Sequence, residues 1–226
     1  MKASCWPLLP SACRLDSIGA KFDFLDDAKR VDIDGLTLFS PLWSREEASY
    51  YKEVLLDDTY CVKGRDLTGK LVVDVGAYVG DSTIAFARQG ASVHAFEPSV
   101  AFCGFIRRNL EANHLSSRVT LHEVGLSECT QELTNRNDRL SFVEGLAYAI
   151  ERLPKNIDIL KLDCEGAEYY LLEDGRFLDH LRPLEIRMEY HRGPEPVSTY
   201  LSRSGYTIEH ISGGSPVGLL SAHRRG

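Results

Sequence analysis

Leu71-Val72-Val73-Asp74-Val75-Gly76-Ala77-Tyr78-Val79-Gly80-Asp81-Ser82 is the stretch on which the fold turns. Its first five residues are apolar except for Asp74, the composition of a strand buried on both faces of a parallel sheet. The glycines that follow let the backbone turn tightly with no Cβ in the way. A helix is predicted from Ser82 to Gln89, stopped by Gly90. Strand, glycine turn and helix in that order open a βαβ crossover.

The alternation continues downstream. Residues 93–96, 119–124, 157–162 and 184–190 read as strands, and residues 100–112, 148–153, 167–172 and 197–204 as helices. Residues 206–211 and 217–222 flank Gly213-Gly214-Ser215-Pro216 as a closing hairpin, and the polar run 127–140 reads as loop. Upstream, residues 22–40 alternate around Asp34-Gly35, which predicts a hairpin. Ser44-Arg45-Glu46-Glu47 then looks like a helix start, running to about Leu56. The chain is thus expected to divide into an N-terminal extension, residues 1–69, and an α/β domain, residues 70–226, with a mainly parallel sheet and helices on both faces.

Composition narrows the function. A net charge of −7 over 226 residues argues against a broad grip on nucleic acid, which draws on clustered Lys and Arg. No apolar run approaches the ~20 residues needed to cross a bilayer, and residues 1–7 lack the apolar core of a secretory signal. The 6 cysteines include no C-x-x-C pair, so free thiols in a reducing cytoplasm are expected. Cys164 reads as a small buried hydrophobe rather than a nucleophile.

In a doubly wound sheet, ligands bind at the carboxyl ends of the strands, where strand order reverses. Those ends read Asp74-Val75-Gly76, Glu97-Pro98, Gly125-Leu126 and Asp163-Cys164-Glu165-Gly166. Glu97, about twenty residues after the glycine turn, is placed to accept hydrogen bonds from a ribose diol. Tyr78 stands where a dinucleotide fingerprint has its middle glycine and would crowd a pyrophosphate. A ligand with an amino-acid tail needs no such bridge, which favours S-adenosylmethionine over NAD.

The strings Val72-Val-Asp-Val-Gly-Ala-Tyr-Val-Gly-Asp81, His94-Ala-Phe-Glu-Pro98 and Leu160-Lys-Leu-Asp-Cys-Glu-Gly-Ala-Glu168 together resemble the FkbM family of S-adenosylmethionine-dependent methyltransferases. The resemblance spans about residues 70–210, with Tyr78 in place of the family's usual asparagine. It implies the class I methyltransferase fold, a Rossmann-like seven-stranded sheet with an antiparallel last strand. It also implies S-adenosylmethionine contacts from Asp74, Gly76, Ala77, Tyr78, Gly80, Asp81 and Ser82. Further contacts are implied for Glu97 and Pro98 at the ribose, Gly125 and Leu126 beside the adenine, and Asp163 near the reacting end. Family members are associated with methylating hydroxyl oxygens of natural products or sugars.

Methyl transfer from a sulfonium is a direct displacement, so alignment is the first task and a general base at the hydroxyl the second. Asp163, Glu165, Glu189 and His191 end the fourth and fifth strands. His191 or Glu165 is favoured as base, with Asp163 mainly positional. The carboxylates flanking Cys164 offer oxygen ligands to Mg²⁺, but the spacing demands no metal and none is assigned. Glu168 reads as capping the helix after Gly166. Trp43, Tyr50, Tyr51 and Tyr60 read as packing or as a lid over the acceptor pocket. Three readings stay open: a small-molecule or sugar O-methyltransferase, which is preferred, an RNA methyltransferase, and a non-catalytic S-adenosylmethionine-binding protein.

Overall fold

Residues 21–40 form three short strands instead of the expected two. In the computed structural model, which describes residues 14–127, 131–134, 140–173 and 175–225, β1 (Lys21–Phe24), β2 (Lys29–Ile33) and β3 (Leu36–Ser40) make an antiparallel meander. The β2–β3 turn is Asp34-Gly35, both residues at positive φ as a tight hairpin requires. The unforeseen turn lies at Leu25–Ala28, closed by a 2.8 Å backbone bond. Val31, Ile33, Leu36 and Leu38 point inward and pack with Ala77, Ile84, Ile106 and Leu110, so the small sheet shares a core with the larger one. Helix α1 (Glu47–Tyr51) runs directly into a π-helical turn, Lys52–Leu56. Lys29 and Glu47, both buried, form an ion pair that ties α1 to β2.

The main sheet begins with β4 (Leu71–Val75), α2 (Asp81–Arg88), β5 (Ser92–Phe96), α3 (Val100–Ala112) and β6 (Val119–His122). A side sheet follows, built from β7 (Gly125–Ser127), β8 (Gln131–Thr134) and β9 (Leu140–Gly145). The expected loop over 127–140 therefore contains a strand at 131–134. Its identity comes from pairing with β9, which a polar run does not reveal alone. Residues 128–130 and 135–139 of that expected loop lie outside the described residues. The chain continues through α4 (Leu146–Arg152), β10 (Ile159–Leu162), α5 (Glu168–Glu173), α6 (Arg176–Leu181), β11 (Glu185–Tyr190), α7 (Pro194–Arg203), β12 (Tyr206–Gly213) and β13 (Gly218–Arg224).

Seven strands lie in the order β12-β13-β11-β10-β4-β5-β6. The five from β11 to β6 are parallel, and β13 runs antiparallel between β11 and β12. Every residue of β10, and all of β4 after Leu71, is buried, which explains their near-continuous apolar runs. Ile84, Phe86, Ile106 and Leu110 cover one face; Leu171, Leu172, Phe177, Val197 and Leu201 cover the other. Strand order reverses between β4 and β10. The backbone there is tightly pinned: Gly76 and Ala77 each donate 3.0 Å bonds to the Phe96 carbonyl, and Asp163 N–H donates to Val75. No helix among the described residues is long and apolar enough to cross a membrane.

Candidate active site

The carboxyl ends of β4, β5, β10 and β11 open into a cavity of about 590 Å³, within the range of small-molecule sites. Gly76, Tyr78, Glu97, Pro98, Gly125, Leu126, Asp163 and Glu165 line it. Asp74, Ala77, Asp81 and Ser82, predicted to contact the cofactor, lie behind the wall instead, none more than 5% exposed. Gly80 is buried with them as the N-cap of α2.

The turn after β4 is held from below. Asp74 accepts hydrogen bonds from the hydroxyls of Ser82 (2.8 Å) and Thr83 (2.6 Å), at the start of α2. Its other oxygen lies 3.0 Å from Lys161 Nζ, which also donates to the Gly76 carbonyl at 2.6 Å. Burial lowers the Lys161 pKa, but the Asp74 and Asp163 carboxylates outweigh it and hold the ammonium above its usual range. Gly76 has φ +86, and a Cβ there would fall 1.7 Å from the Asp163 carbonyl oxygen. The glycine is thus required by the neighbouring strand, not only by an approaching ligand.

Glu97 is 5% exposed. Each of its oxygens already accepts one backbone N–H, from Tyr78 at 2.9 Å and from Ser99 at 2.8 Å. A carboxylate oxygen has a second lone pair, so two acceptor sites remain for a diol in the cavity. Burial pushes the carboxyl up to about 7 against the pull of those N–H donors. Burial likewise raises Asp81 to about 6.

On the opposite wall, Tyr60 donates a 3.1 Å hydrogen bond to Asp163 Oδ2. Glu168 is fully buried and anchors this side. It accepts the Gly166 N–H (2.9 Å), the His191 N–H (3.1 Å) and the His191 ring through Nδ1 (3.0 Å). Glu168, expected to cap the helix after Gly166, thus bonds the Gly166 N–H ahead of the helix and holds His191. The other ring nitrogen, Nε2, faces Asp163 Oδ1 at 3.8 Å and Glu165 and Glu189 at 3.7 Å each. The Glu168 bond raises the His191 pKa to about 9, so the ring keeps its proton at neutral pH in this arrangement and does not start as the base the sequence favours. Burial, then Asp163, lifts Glu189 to about 7. Glu165, at φ +56 and with its side chain 86% exposed, hangs at the mouth. Cys164, expected to be buried, is partly buried and lines the cavity, and desolvation holds its thiol well above its ordinary pKa.

The N-terminal segment supplies the remaining wall: Tyr50, Glu53, Thr59 and Tyr60 line the cavity, whereas Tyr51 is fully buried packing. Tyr78, at φ +52, packs edge-on against Tyr50 and Phe102, and its hydroxyl lies 2.9 Å from Ser44 Oγ. Sequence reasoning missed Lys161, Glu53, Phe102, Tyr170 and Arg192. Lys161 alone carried a signal, a charge inside the otherwise apolar Ile159-Leu160-Lys161-Leu162.

A sheet of this order, with a glycine turn ending its first strand and a buried carboxylate following the second, defines a Rossmann-like class I methyltransferase. Residues 74–208 match the family model described as the Methyltransferase FkbM domain. That is more than half of the chain, which therefore belongs to the FkbM methyltransferase family and is an S-adenosylmethionine-dependent enzyme. Three solved structures share the fold. Methyltransferase FkbM from Methylobacillus flagellatus KT is 20% identical, with TM-score 0.52, covering 68% of this chain and 43% of that one. This chain thus spans less than half of that protein. TYW2 of M. jannaschii in complex with AdoMet is 13% identical, with TM-score 0.54, covering 91% and 90% respectively. Magnesium protoporphyrin IX methyltransferase (ChlM) from Synechocystis PCC 6803 with bound SAM is 16% identical, with TM-score 0.53, covering 80% and 83%. No curated protein matches the chain.

Proposed function

We propose that the chain methylates a hydroxyl oxygen of a small molecule or sugar. The observation that carries this reading is the charge of the cavity. Among the described residues that line it, Glu53, Asp163, Glu165 and Glu189 face one guanidinium, Arg192. Such a mouth repels a phosphate backbone, which argues against an RNA acceptor. It suits a neutral acceptor whose hydroxyl hydrogens are donated to carboxylates.

S-adenosylmethionine, when bound, supplies an electrophilic methyl group on a sulfonium. Glu97 is assigned to its ribose hydroxyls, the Gly76–Tyr78 turn to its methionine side, and Pro98, Gly125 and Leu126 to its adenine. The corner of Asp163, Glu189 and His191 is assigned to the acceptor, whose hydroxyl is held there and gives up its proton. Tyr60 and Glu168 position Asp163 and His191 within that corner. Orientation of this kind can lower a barrier by ~7–11 kcal/mol, and assisted proton removal adds roughly 10²–10⁴-fold.

The test is incubation with S-adenosylmethionine and a panel of sugars, hydroxylated polyketides and unmodified tRNA, followed by mass spectrometry. Methyl ethers on a small-molecule acceptor support the reading. Methylation confined to tRNA overturns it.

A further inference from the structure

We propose that Asp163, Glu189 and His191 bind one divalent transition-metal ion of the Mn²⁺ type, which holds the acceptor hydroxyl and lowers its pKa. Only the ion's role toward the acceptor rests on the hydroxyl-methylation reading; its binding does not.

Strand register brings the three ligands together. Leu162 on β10 pairs with Met188 on β11, so Asp163 and Glu189, one step further along, are neighbours at the sheet edge. His191 follows Glu189 by two positions, close in sequence and at the same end of β11. One donor atom from each of Asp163, Glu189 and His191 lies within 4.8 Å of the others.

The ring is aimed at the cluster by a fixed second contact. Glu168 is a carboxylate and can only accept, so Nδ1 carries the hydrogen, and Nε2, whose proton the ion displaces on binding, is the atom presented to Asp163 and Glu189. The same Glu168 is held by the backbone N–H groups of Gly166 and His191, which restrain its rotation. A buried carboxylate, an imidazole and then a metal is the usual outer-shell arrangement of histidine ligands. Asp163 is oriented likewise: Tyr60 occupies Oδ2, while Oδ1 is the oxygen nearest Nε2.

Spacing separates a metal site from a hydrogen-bonded cluster. Nε2 stands 3.7–3.8 Å from the facing carboxylate oxygens, too far for a hydrogen bond. Two ligands each about 2.0–2.2 Å from a shared ion at a tetrahedral angle lie roughly 3.3–3.6 Å apart, so the groups close in by a few tenths of an ångström when the ion binds. One imidazole with two carboxylates suits Mn²⁺ or Zn²⁺ better than the all-oxygen shells preferred by Mg²⁺ and Ca²⁺. Asp163 and Glu189 both line the cavity, so the ion's open positions face the acceptor. There the acceptor oxygen binds the ion and releases its proton to solvent. Its new bond to the methyl carbon forms as the carbon–sulfur bond breaks, the electron pair going to sulfur. The products are a methyl ether, S-adenosylhomocysteine and one proton.

The experiment titrates the chelator-treated 226-residue chain with Mn²⁺, followed by electron paramagnetic resonance of the free ion, with no acceptor present. One saturable site per chain is expected. His191→Ala and Glu189→Gln should each weaken it at least tenfold. Glu168→Gln, which removes no ligand, should weaken it by about 10–100-fold. The exposed variant Glu209→Gln should leave it unchanged. Circular dichroism of each variant separates lost binding from lost folding, and Glu189→Gln keeps the volume should His191→Ala unfold. No saturable binding, or binding indifferent to both ligand substitutions, overturns the site. Binding with methyl transfer unchanged after chelation overturns its catalytic role. Binding with no hydroxyl methylated leaves the site standing and removes the acceptor reading.

Discussion

Lys161 places its ammonium 3.0 Å from Asp74 Oδ1, its register partner on the adjacent central strand, with neither side chain more than 2% exposed. The pair lies beneath the cofactor turn and the lysine also grips the Gly76 carbonyl. Removing one partner strands the other charge in the interior. Lys161→Met should cost ~3–5 kcal/mol in urea denaturation, and Lys161→Met combined with Asp74→Asn should recover part of it. Full additivity of the two losses would show that the pair is not coupled.

Two glycines of the same turn should behave differently. Gly76→Ala drives a Cβ into the Asp163 backbone and is expected to cost more than ~4 kcal/mol or to prevent folding. Gly80 has φ +92, but its added Cβ would meet only Ile106 at 3.5 Å. Gly80→Ala should therefore lose only the ~1–3 kcal/mol of a strained backbone. Thermal unfolding of both variants checks the order.

Cofactor affinity should depend on pH through Glu97. Its carboxyl is raised from 4.5 to about 7, so protons compete with the ribose hydroxyls below neutrality. Calorimetry should show S-adenosylmethionine binding weaken toward acid, by at most roughly tenfold per pH unit. Glu97→Gln should bind more weakly at alkaline pH and flatten that difference. Because the folded pKa is the higher one, Glu97 contributes stability present below pH 4.5 and lost as pH rises through about 7. Glu97→Gln should remove that decline in denaturant titrations across the same window.

The N-terminal segment should separate into a structural part and a specificity part. Removing residues up to 40 uncovers Ile84, Ile106 and Leu110 and should lower the melting temperature sharply. Tyr50→Ala removes a cavity wall, its ring contact with Tyr78 and an exposed 3.0 Å hydrogen bond to Glu46. It should raise the acceptor KM about fivefold, on the scale of ~1 kcal/mol for an aromatic contact, with the Kd for S-adenosylmethionine unchanged. A parallel loss of cofactor binding would assign Tyr50 to the cofactor instead.

Local pattern alone determined the order of the main-sheet strands and of the helices α2 to α5 and α7, because buried strands and amphipathic helices carry their periods in neighbouring residues; it missed the side sheet β7–β9 and helix α6. It also located the strand ends at Glu97 and Asp163, which line the cavity with Gly125, although Gly125 opens β7 and does not close the strand before it, β6, which stops at His122. Tertiary structure decided what each end does. Asp74 and Asp81 look like ligand contacts on the chain, yet Asp74 is buried within β4 under Ser82, Thr83 and Lys161, and Asp81 is buried at the start of α2. Gly76 is required because β10 passes beside it, a contact between residues distant in sequence. Strand β8 exists through its pairing with β9. The meeting of Asp163, Glu189 and His191, with Glu168 behind the ring, depends on the register of β10 against β11. No spacing within one segment encodes that register.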